Sequence, residues 1–347
     1  MKICCIGAGA IGLYIGGSLA YHGEDIIFLD RPGQESLYAN KPISVEVDGF
    51  ARETRNFTMI SSLDDLKGVE LDSMFITVKA FDTQAVIDRI KKAGLIPKSL
   101  TSFQNGVENE SLLLQAFPGA EIIGASVVSA VSRLGDTAVR VEKNRGVGIS
   151  CKGSTTEALL DSFHRSGFKP KRYADLNSMK WSKMISNLFA NATSAILEMT
   201  PAEVYQNQQM FRIERMQILE ALDVMQASGY KVVDLPGLPL RLLVALFKVL
   251  PEGLLQPVLT KLIAGGRGEK MPSFFIEKQR GSGQSEIDFL NGAIVRRGKT
   301  CGVPTPVNAA LTRVLLQAIE DEENGRSYIH NPELLWETVK PRSTYIY

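Results

Sequence analysis

Histidine and cysteine are scarce, with three of the first and four of the second among 347 residues. Cys4, Cys5, Cys151 and Cys301 show no metal-ligand spacing, so no metal site is expected. Cys4 and Cys5 are neighbours, and neighbours on a strand point to opposite faces and do not share a partner. Four reduced thiols in a cytoplasmic protein are expected. An excess of charge is missing as well. Thirty-nine basic against 38 acidic residues leave nothing over to neutralise a phosphate backbone, which argues against nucleic acid as a partner. Past the N-terminal segment no uncharged run approaches the roughly twenty residues that span a bilayer. The most apolar stretch, 238–264, is interrupted by Arg241, Lys248, Pro251, Glu252 and Lys261, so no membrane anchor is expected. Repeats and low-complexity tracts are absent. The chain does have length for two domains, and its 44% hydrophobic content supplies core for both.

The N-terminal segment has two readings. Lys2 precedes nineteen uncharged residues, Ile3 to Tyr21, with a small-residue triplet Ser18-Leu19-Ala20, as in a secretory signal. The same run contains Gly7-Ala8-Gly9-Ala10-Ile11-Gly12, as in a dinucleotide-binding turn. Glycines at 7, 9, 12, 16 and 17 weaken a helix through the whole run but suit a strand, a turn and a helix. Gly7 allows the tight turn, Gly9 lets a pyrophosphate approach the backbone, and Gly12 lets the helix pack close to the sheet. The helix from Ala10 directs its free N–H groups and positive dipole end at that phosphate. A second strand, Asp25 to Asp30, ends in an acid 18 residues after Gly12, near the spacing of a ribose-binding carboxylate. The dinucleotide reading accounts for all of this. A carboxylate there favours NAD, while the adjacent Arg31 suits the phosphate of NADP, and the local sequence leaves both open.

Further strands are expected near Ile43–Val47, Phe57–Ile60, Leu71–Val78 and Leu100–Phe103, with a helix from Thr83 to Ala93 and a β-rich section over 121–151. Such alternation implies a mainly parallel sheet covered by helices. From Asp175 the pattern turns helical, over 176–199, 202–228, 238–264, 285–298 and 307–322. The expected fold is therefore α/β: an N-terminal Rossmann-type doubly wound sheet, 1–174, followed by an all-helical substrate and catalytic domain, 175–347. Substrate is expected in the cleft between them, beyond the carboxyl ends of the strands.

Reduction of a carbonyl needs a proton donor. His22 and His164 fall in outer helices and His330 in the C-terminal tail, which directs attention to lysine. Lys183, Asn187 and Asn191 recur at i, i+4 and i+8, placing an ammonium and two amides on one stripe of the 176–199 helix. Asparagine is a poor interior helix former, so the stripe reads either as a ligand-facing line or as a polar surface. Glu286 reads as an acid of a helix first turn behind Ser285, or as the carboxylate that orients Lys183 or substrate. Lys79 and Asn105, just past strands, sit where a doubly wound sheet presents residues to its ligand, though each is also an ordinary turn or surface residue.

These pieces resemble the ketopantoate reductase (2-dehydropantoate 2-reductase) family. The matching stretches are GAGAIG at 7–12, TVKAFDT at 77–83, QNGVEN at 104–109, KWSKMISNLFANATSAI at 180–196 and SEIDFLNGAIVRRGKTCGVPTPVN at 285–308. The resemblance implies NADPH-dependent reduction of ketopantoate or a related branched 2-keto acid to a D-2-hydroxy acid. It implies Lys183 as general acid with Glu286 in its network, and Asn187 and Asn191 as substrate contacts. Asn105 would lie near nicotinamide and substrate, and Lys79 and Arg31 near the cofactor phosphates. Two departures stand out. The family has Ser-Ser ahead of the Glu286 helix where this chain has Ser273-Phe274, which suits a more apolar keto acid. Asp30 stands where the family often has a small neutral residue, which suits NAD. The alternatives are an NAD-dependent D-2-hydroxyacid dehydrogenase of the same fold and a non-catalytic nucleotide-binding regulator. The 238–264 region reads as added core, a subunit contact of a homodimer, or a pocket lid.

Overall fold

A computed structural model describes residues 1–39, 41–150, 153–267, 270–281 and 283–340; Cys151 lies outside them. The chain divides into two compact units, Met1–Lys180 with Leu235–Leu238, and Trp181–Asp234 with Pro239–Tyr347. The fold class is the expected one: an α/β unit followed by a helical one.

In the first unit, β1 (Lys2–Ile6) leads through the glycine turn into α1 (Ala10–Tyr21) and β2 (Asp25–Leu29). There follow β3 (Ile43–Val47), β4 (Phe50–Thr54), β5 (Thr58–Ile60), β6 (Ser73–Ile76), α2 (Thr83–Lys92), β7 (Ser99–Ser102), α3 (Asn109–Ala116) and β8 (Glu121–Val127). The last elements are β9 (Ala130–Arg133), β10 (Ala138–Lys143), β11 (Val147–Ser150), α4 (Ser154–Arg165) and β12 (Pro170–Arg172). Eight strands form one sheet in the order β12-β11-β8-β7-β6-β1-β2-β5, parallel at every pair except β8–β11. Strand order reverses at β1, whose neighbours are β2 and β6. Such a switch point leaves a crevice at the carboxyl ends of the strands.

Central strands of a doubly covered sheet are apolar on both faces, and Ile3 to Ile6 are all buried. Cys5 packs with Leu13, Ile15 and Leu19 of α1 and Leu159 and Phe163 of α4. Cys4 packs on the opposite face with Val86, Ile87 and Ile90 of α2 and Leu113 of α3. The two thiols therefore point apart, as neighbours on a strand must. The Ile43–Val47 strand does not join this sheet. It belongs to a separate four-stranded sheet, β4-β3-β10-β9, and Ile43 and Val45 still pack into the core beside α1.

The second unit differs from expectation in where its helices break. The helix expected over 176–199 is two, α5 (Leu176–Leu188) and α6 (Asn191–Leu197), separated by Ala190 at φ +52°. The 202–228 helix is α7 (Pro201–Gln206) and α8 (Gln208–Ala227), divided where the Asn207 side chain accepts from the Gln209 and Met210 amides. The 238–264 segment is α9 (Leu240–Val249) and α10 (Glu252–Arg267), divided before Pro251, as a proline dictates. Then come α11 (Ser273–Gln279), α12 (Ile287–Cys301), α13 (Pro306–Glu320), α14 (Glu322–Arg326) and α15 (Pro332–Val339). Neither α11 nor α15 is foreshadowed by a long apolar period. Among the described residues no helix is long and apolar enough to cross a membrane.

Burial pushes the Cys4 thiol up to about 12 and holds Cys5 well above the ordinary thiol range. Because the thiolate is the nucleophile, Cys4 and Cys5 should stay unlabelled by iodoacetamide in the native protein at pH 8 and react once urea unfolds it. Mass mapping that finds native-state alkylation at either would contradict this packing.

Candidate active site

The glycine turn is built by close approach. β1 runs into Gly7, at φ +109°, where a Cβ would meet Val78 Cγ1 at 2.9 Å. The Thr77 hydroxyl, just past β6, donates to the Ile6 and Gly7 carbonyls at 2.9 and 2.7 Å, and the Gly7 amide donates to Leu29. A Cβ at Gly12 would lie 1.9 Å from the Gly7 carbonyl oxygen, so α1 can press on the turn only with glycine there. A Cβ at Gly9 would meet nothing within 4 Å. The open side of the turn is therefore at Gly9. The first amides of α1, on Ala10, Ile11 and Gly12, have no acceptor within their own helix, and no side chain caps it. This combination fits a bound anion.

The other expected residues of this unit also follow carboxyl ends of strands. Asp30 follows β2 and its carboxylate accepts the Arg31 amide at 2.8 Å, while Arg31 is exposed. Lys79 follows β6 and Asn105 follows β7. A buried network joins the two turns: Gln104 Nε2 donates to the Lys79 carbonyl at 3.1 Å and to Thr83 Oγ1 at 2.9 Å. Thr83 Oγ1 donates to Asn109 Oδ1 at 3.0 Å, and Asn109 Nδ2 donates to the Asn105 carbonyl at 2.7 Å. Beneath them Lys180 Nζ donates to the Gln104 carbonyl at 2.7 Å and pairs with Glu110 at 2.8 Å, both side chains being about 5% exposed or less. Removing one member of such a pair typically costs about 3–5 kcal/mol, because the other charge stays buried.

In the second unit, Lys183 and Asn187 on α5 are half-buried, and Lys183 Nζ donates to Asn187 Oδ1 at 3.0 Å. The i,i+4 part of the expected stripe is thus a direct contact. The i+8 part is not on the same helix. Asn191 opens α6 beyond the break, where Nδ2 donates to Ser273 Oγ at 3.2 Å and Oδ1 accepts the Phe274 amide at 3.1 Å. Phe274 is 1% exposed, a core residue of this unit. Lys278 at the other end of α11 donates to the Ala195 carbonyl and pairs with Glu198, so α11 lies parallel to α6 and is held at both ends. Glu286 precedes α12 and is buried. Its amide donates to Glu277 Oε2 at 2.9 Å, and its own side chain makes no cap to α12. Ser285 Oγ instead accepts the Ile287 amide at 3.2 Å. The side-chain bond at the start of this turn is therefore made by Ser285 and not by Glu286.

Two buried carboxylates on α8 were not singled out by the sequence. Glu214 accepts from the Ala190 amide, Thr193, Tyr205 and Gln217, and Glu220 from the Val307 and Asn308 amides and the Asn308 side chain. Burial outweighs these bonds and pushes both pKa values up to about 7. Their signal, with that of Lys180 and Glu110, is a charge on an apolar helix face. Among the described residues no group of His, Cys, Asp or Glu could hold a metal ion.

The family models described as ketopantoate reductase PanE/ApbA and its C-terminal domain match residues 3–152 and 175–320. The chain belongs to the ketopantoate reductase family. It is similar to the 2-dehydropantoate 2-reductases of Pyrococcus horikoshii, 27% identical over 90% of this chain and 95% of the relative, and of Archaeoglobus fulgidus, 26% identical over 93% and 98%. Among solved structures it is similar to a PanE/ApbA family ketopantoate reductase from Ralstonia eutropha JMP134, with a TM-score of 0.78 and 28% identity over 93% of this chain and 99% of that one. D-mandelate dehydrogenase in complex with NADH and anilino(oxo)acetate shares the fold, with a TM-score of 0.73 and 20% identity over 94% and 99%. As a member of the ketopantoate reductase family the protein is an NAD(P)-dependent oxidoreductase acting on a CH–OH group.

Two outcomes follow. Gly12→Ala should destabilise the protein by about 1–3 kcal/mol through overpacking, whereas Gly9→Ala should leave thermal stability unchanged and weaken dinucleotide binding. Melting curves with fluorescence titration check this, and equal melting temperatures for the two variants would refute it. The acid pair gives the second outcome. Between about pH 4.5 and 7 the folded protein holds protons that the unfolded chain has released, so stability falls as pH rises through that window. Each carboxylate contributes roughly 3 kcal/mol. Urea unfolding at pH 5 and pH 8 should show the drop, and Glu220→Gln should shrink it; an unchanged drop would refute the assignment.

Proposed function

We propose that this enzyme reduces ketopantoate or a related branched 2-keto acid to the D-2-hydroxy acid with NADPH, Lys183 serving as general acid. The observation that carries the reading is the 3.0 Å bond from Lys183 Nζ to Asn187 Oδ1. A neutral amide oxygen accepts from the ammonium and fixes its direction without neutralising its charge. A bound dihydronicotinamide would supply the hydride to the keto carbon. Lys183 gives a proton to the oxygen that becomes alkoxide, so the carbonyl gains one hydride and one proton and emerges as the hydroxyl. Asn187 aims that proton, and the buried Glu286 carboxylate serves the same network. Asn191 with Ser273 contributes polar contacts for substrate, and Asn105 a contact near the nicotinamide. The open Gly9 turn and the free amides of Ala10, Ile11 and Gly12 support pyrophosphate binding, with Lys79 and Arg31 as phosphate cations. On this reading the nucleotide domain is 1–174 and the catalytic domain 175–347.

Specific observations favour a second version, an NAD-dependent D-2-hydroxyacid dehydrogenase. Asp30 stands at the ribose position, and the buried Phe274 stands where the family has a serine. Substrate then carries an aromatic or branched apolar group instead of a hydroxyl.

Turnover should be followed with NADPH and NADH separately, using ketopantoate, simpler branched keto acids and phenyl-substituted ones. The first reading expects NADPH with ketopantoate or a branched acid. Preference for NADH with a phenyl-substituted acid would replace it with the second, and no turnover at all would leave a non-catalytic nucleotide-binding protein. Lys183→Ala should lower kcat by about 10²–10⁴ with little change in cofactor affinity. Surviving activity would show that another group donates the proton.

A further inference from the structure

Ala190 is an unusual residue to find at a helix break. Its φ of +52° lies in the left-handed region, where an L-residue's Cβ is crowded and glycine is at home. Asparagine and aspartate tolerate that region through local hydrogen bonds of their side chains, and alanine has none to make. A conformation that the residue itself disfavours persists only where neighbours over-determine it.

One neighbour does so. Glu214 on α8 is fully buried, and its Oε2 accepts the Ala190 amide at 2.7 Å and Tyr205 Oη at 3.2 Å. Its Oε1 accepts Thr193 Oγ1 and Gln217 Nε2, both at 2.8 Å. Ala190 is the cap residue of α6 and Thr193 its third residue. A single carboxylate from another helix therefore grips the first turn of α6 at two points, at the helix end where negative charge is favoured. Gln217 extends the grip, since its Oε1 accepts Asn291 Nδ2 of α12, the helix that Glu286 precedes. An apolar residue would fill the Glu214 site at less desolvation cost, so a carboxylate there serves geometry.

We propose that Glu214 is a positioning residue of the active site: by holding the Ala190 amide it maintains the break that separates Asn191 from Lys183 and Asn187. Without the break α5 would run on and carry Asn191 into helical register with Asn187, away from Ser273 and the Phe274 amide. The inference rests on the catalytic reading of Lys183, Asn187 and Asn191 given above.

The test compares Glu214→Gln, Glu214→Leu and the double variant Glu214→Leu/Ala190→Gly in the full-length protein. Glu214→Leu should lower kcat/KM for the keto acid at least tenfold, with NADPH affinity within twofold of wild type. Glu214→Gln, which keeps an oxygen for the Ala190 amide, should recover most of the loss. So should Ala190→Gly in the leucine background, because glycine adopts the left-handed conformation unaided. A loss that Ala190→Gly does not relieve, or one that falls on NADPH affinity, overturns the proposal. Should Glu214→Leu not fold, Ala190→Val leaves the carboxylate intact and puts a β-branched residue where φ is positive. It should show the same tenfold loss, and activity within threefold of wild type overturns the proposal. Hydrogen exchange over residues 189–193 gives a readout independent of turnover. Protection should fall in Glu214→Leu and persist in Glu214→Gln, and unchanged protection in Glu214→Leu overturns the clamp. A wild-type enzyme inactive on every keto acid would bring down the catalytic reading alone, because exchange still judges the clamp.

Discussion

A main-chain group left over at a turn must find a partner once it is buried, and in this protein that partner is repeatedly one polar side chain from a different element. Thr77 holds the Ile6 and Gly7 carbonyls, and Lys180 holds the Gln104 and Ala125 carbonyls. Glu214 holds the Ala190 amide, Asn191 the Phe274 amide, Glu277 the Glu286 amide, and Glu220 the amides of Val307 and Asn308. Several of these turns carry a candidate residue of the site or lie beside one. The positions of Asn105, Asn191 and Glu286 thus depend on ties that reach across the fold.

Such ties are costly in isolation. A buried carboxylate loses several kcal/mol of hydration, and hydrogen bonds repay it only when complete. Glu214 receives four donors and Glu220 three, yet burial still raises both acids to about 7. The gain lies in direction. Apolar contacts tolerate sliding, whereas a carboxylate between two fixed amides does not, and a proton donor must be held within hydrogen-bond reach of its acceptor.

This contrast also decides what could be read from the sequence. The α/β order, the glycine turn and the strand-end positions of Asp30, Lys79 and Asn105 were legible, because buried strands and phosphate turns restrict residue type locally. Gly12 is required by an atom five residues away in the chain. The break at Ala190 was not legible, because the left-handed position is held by alanine rather than glycine or asparagine; its cause lies 24 residues on, in Glu214. Lys183 and Asn187 met as their i,i+4 spacing implied, while Asn191 was assigned to a continuous stripe that the break interrupts. Lys180 was not singled out as a buried charge, though Met184 one turn later is core. The Ile43–Val47 strand shows the same limit in the sheet, since alternation announces a strand and cannot name its partner.

The pairing of α6 with α11 has a consequence for substrate choice on the proposed reading. Asn191 and Lys278 tie the two helices at both ends, so α11 cannot shift to accommodate a different residue at 274. Phe274 turns its ring into the core, and the hydroxyl left at this turn is that of Ser273, already bonded to Asn191. A substrate hydroxyl would have to displace that bond, whereas an apolar substituent would leave it intact. Exchange of one polar contact for another yields little net free energy, while burial of an apolar group adds roughly 25 cal/mol per Å². On the second version of the proposed function, discrimination at this turn would therefore favour the apolar side chain.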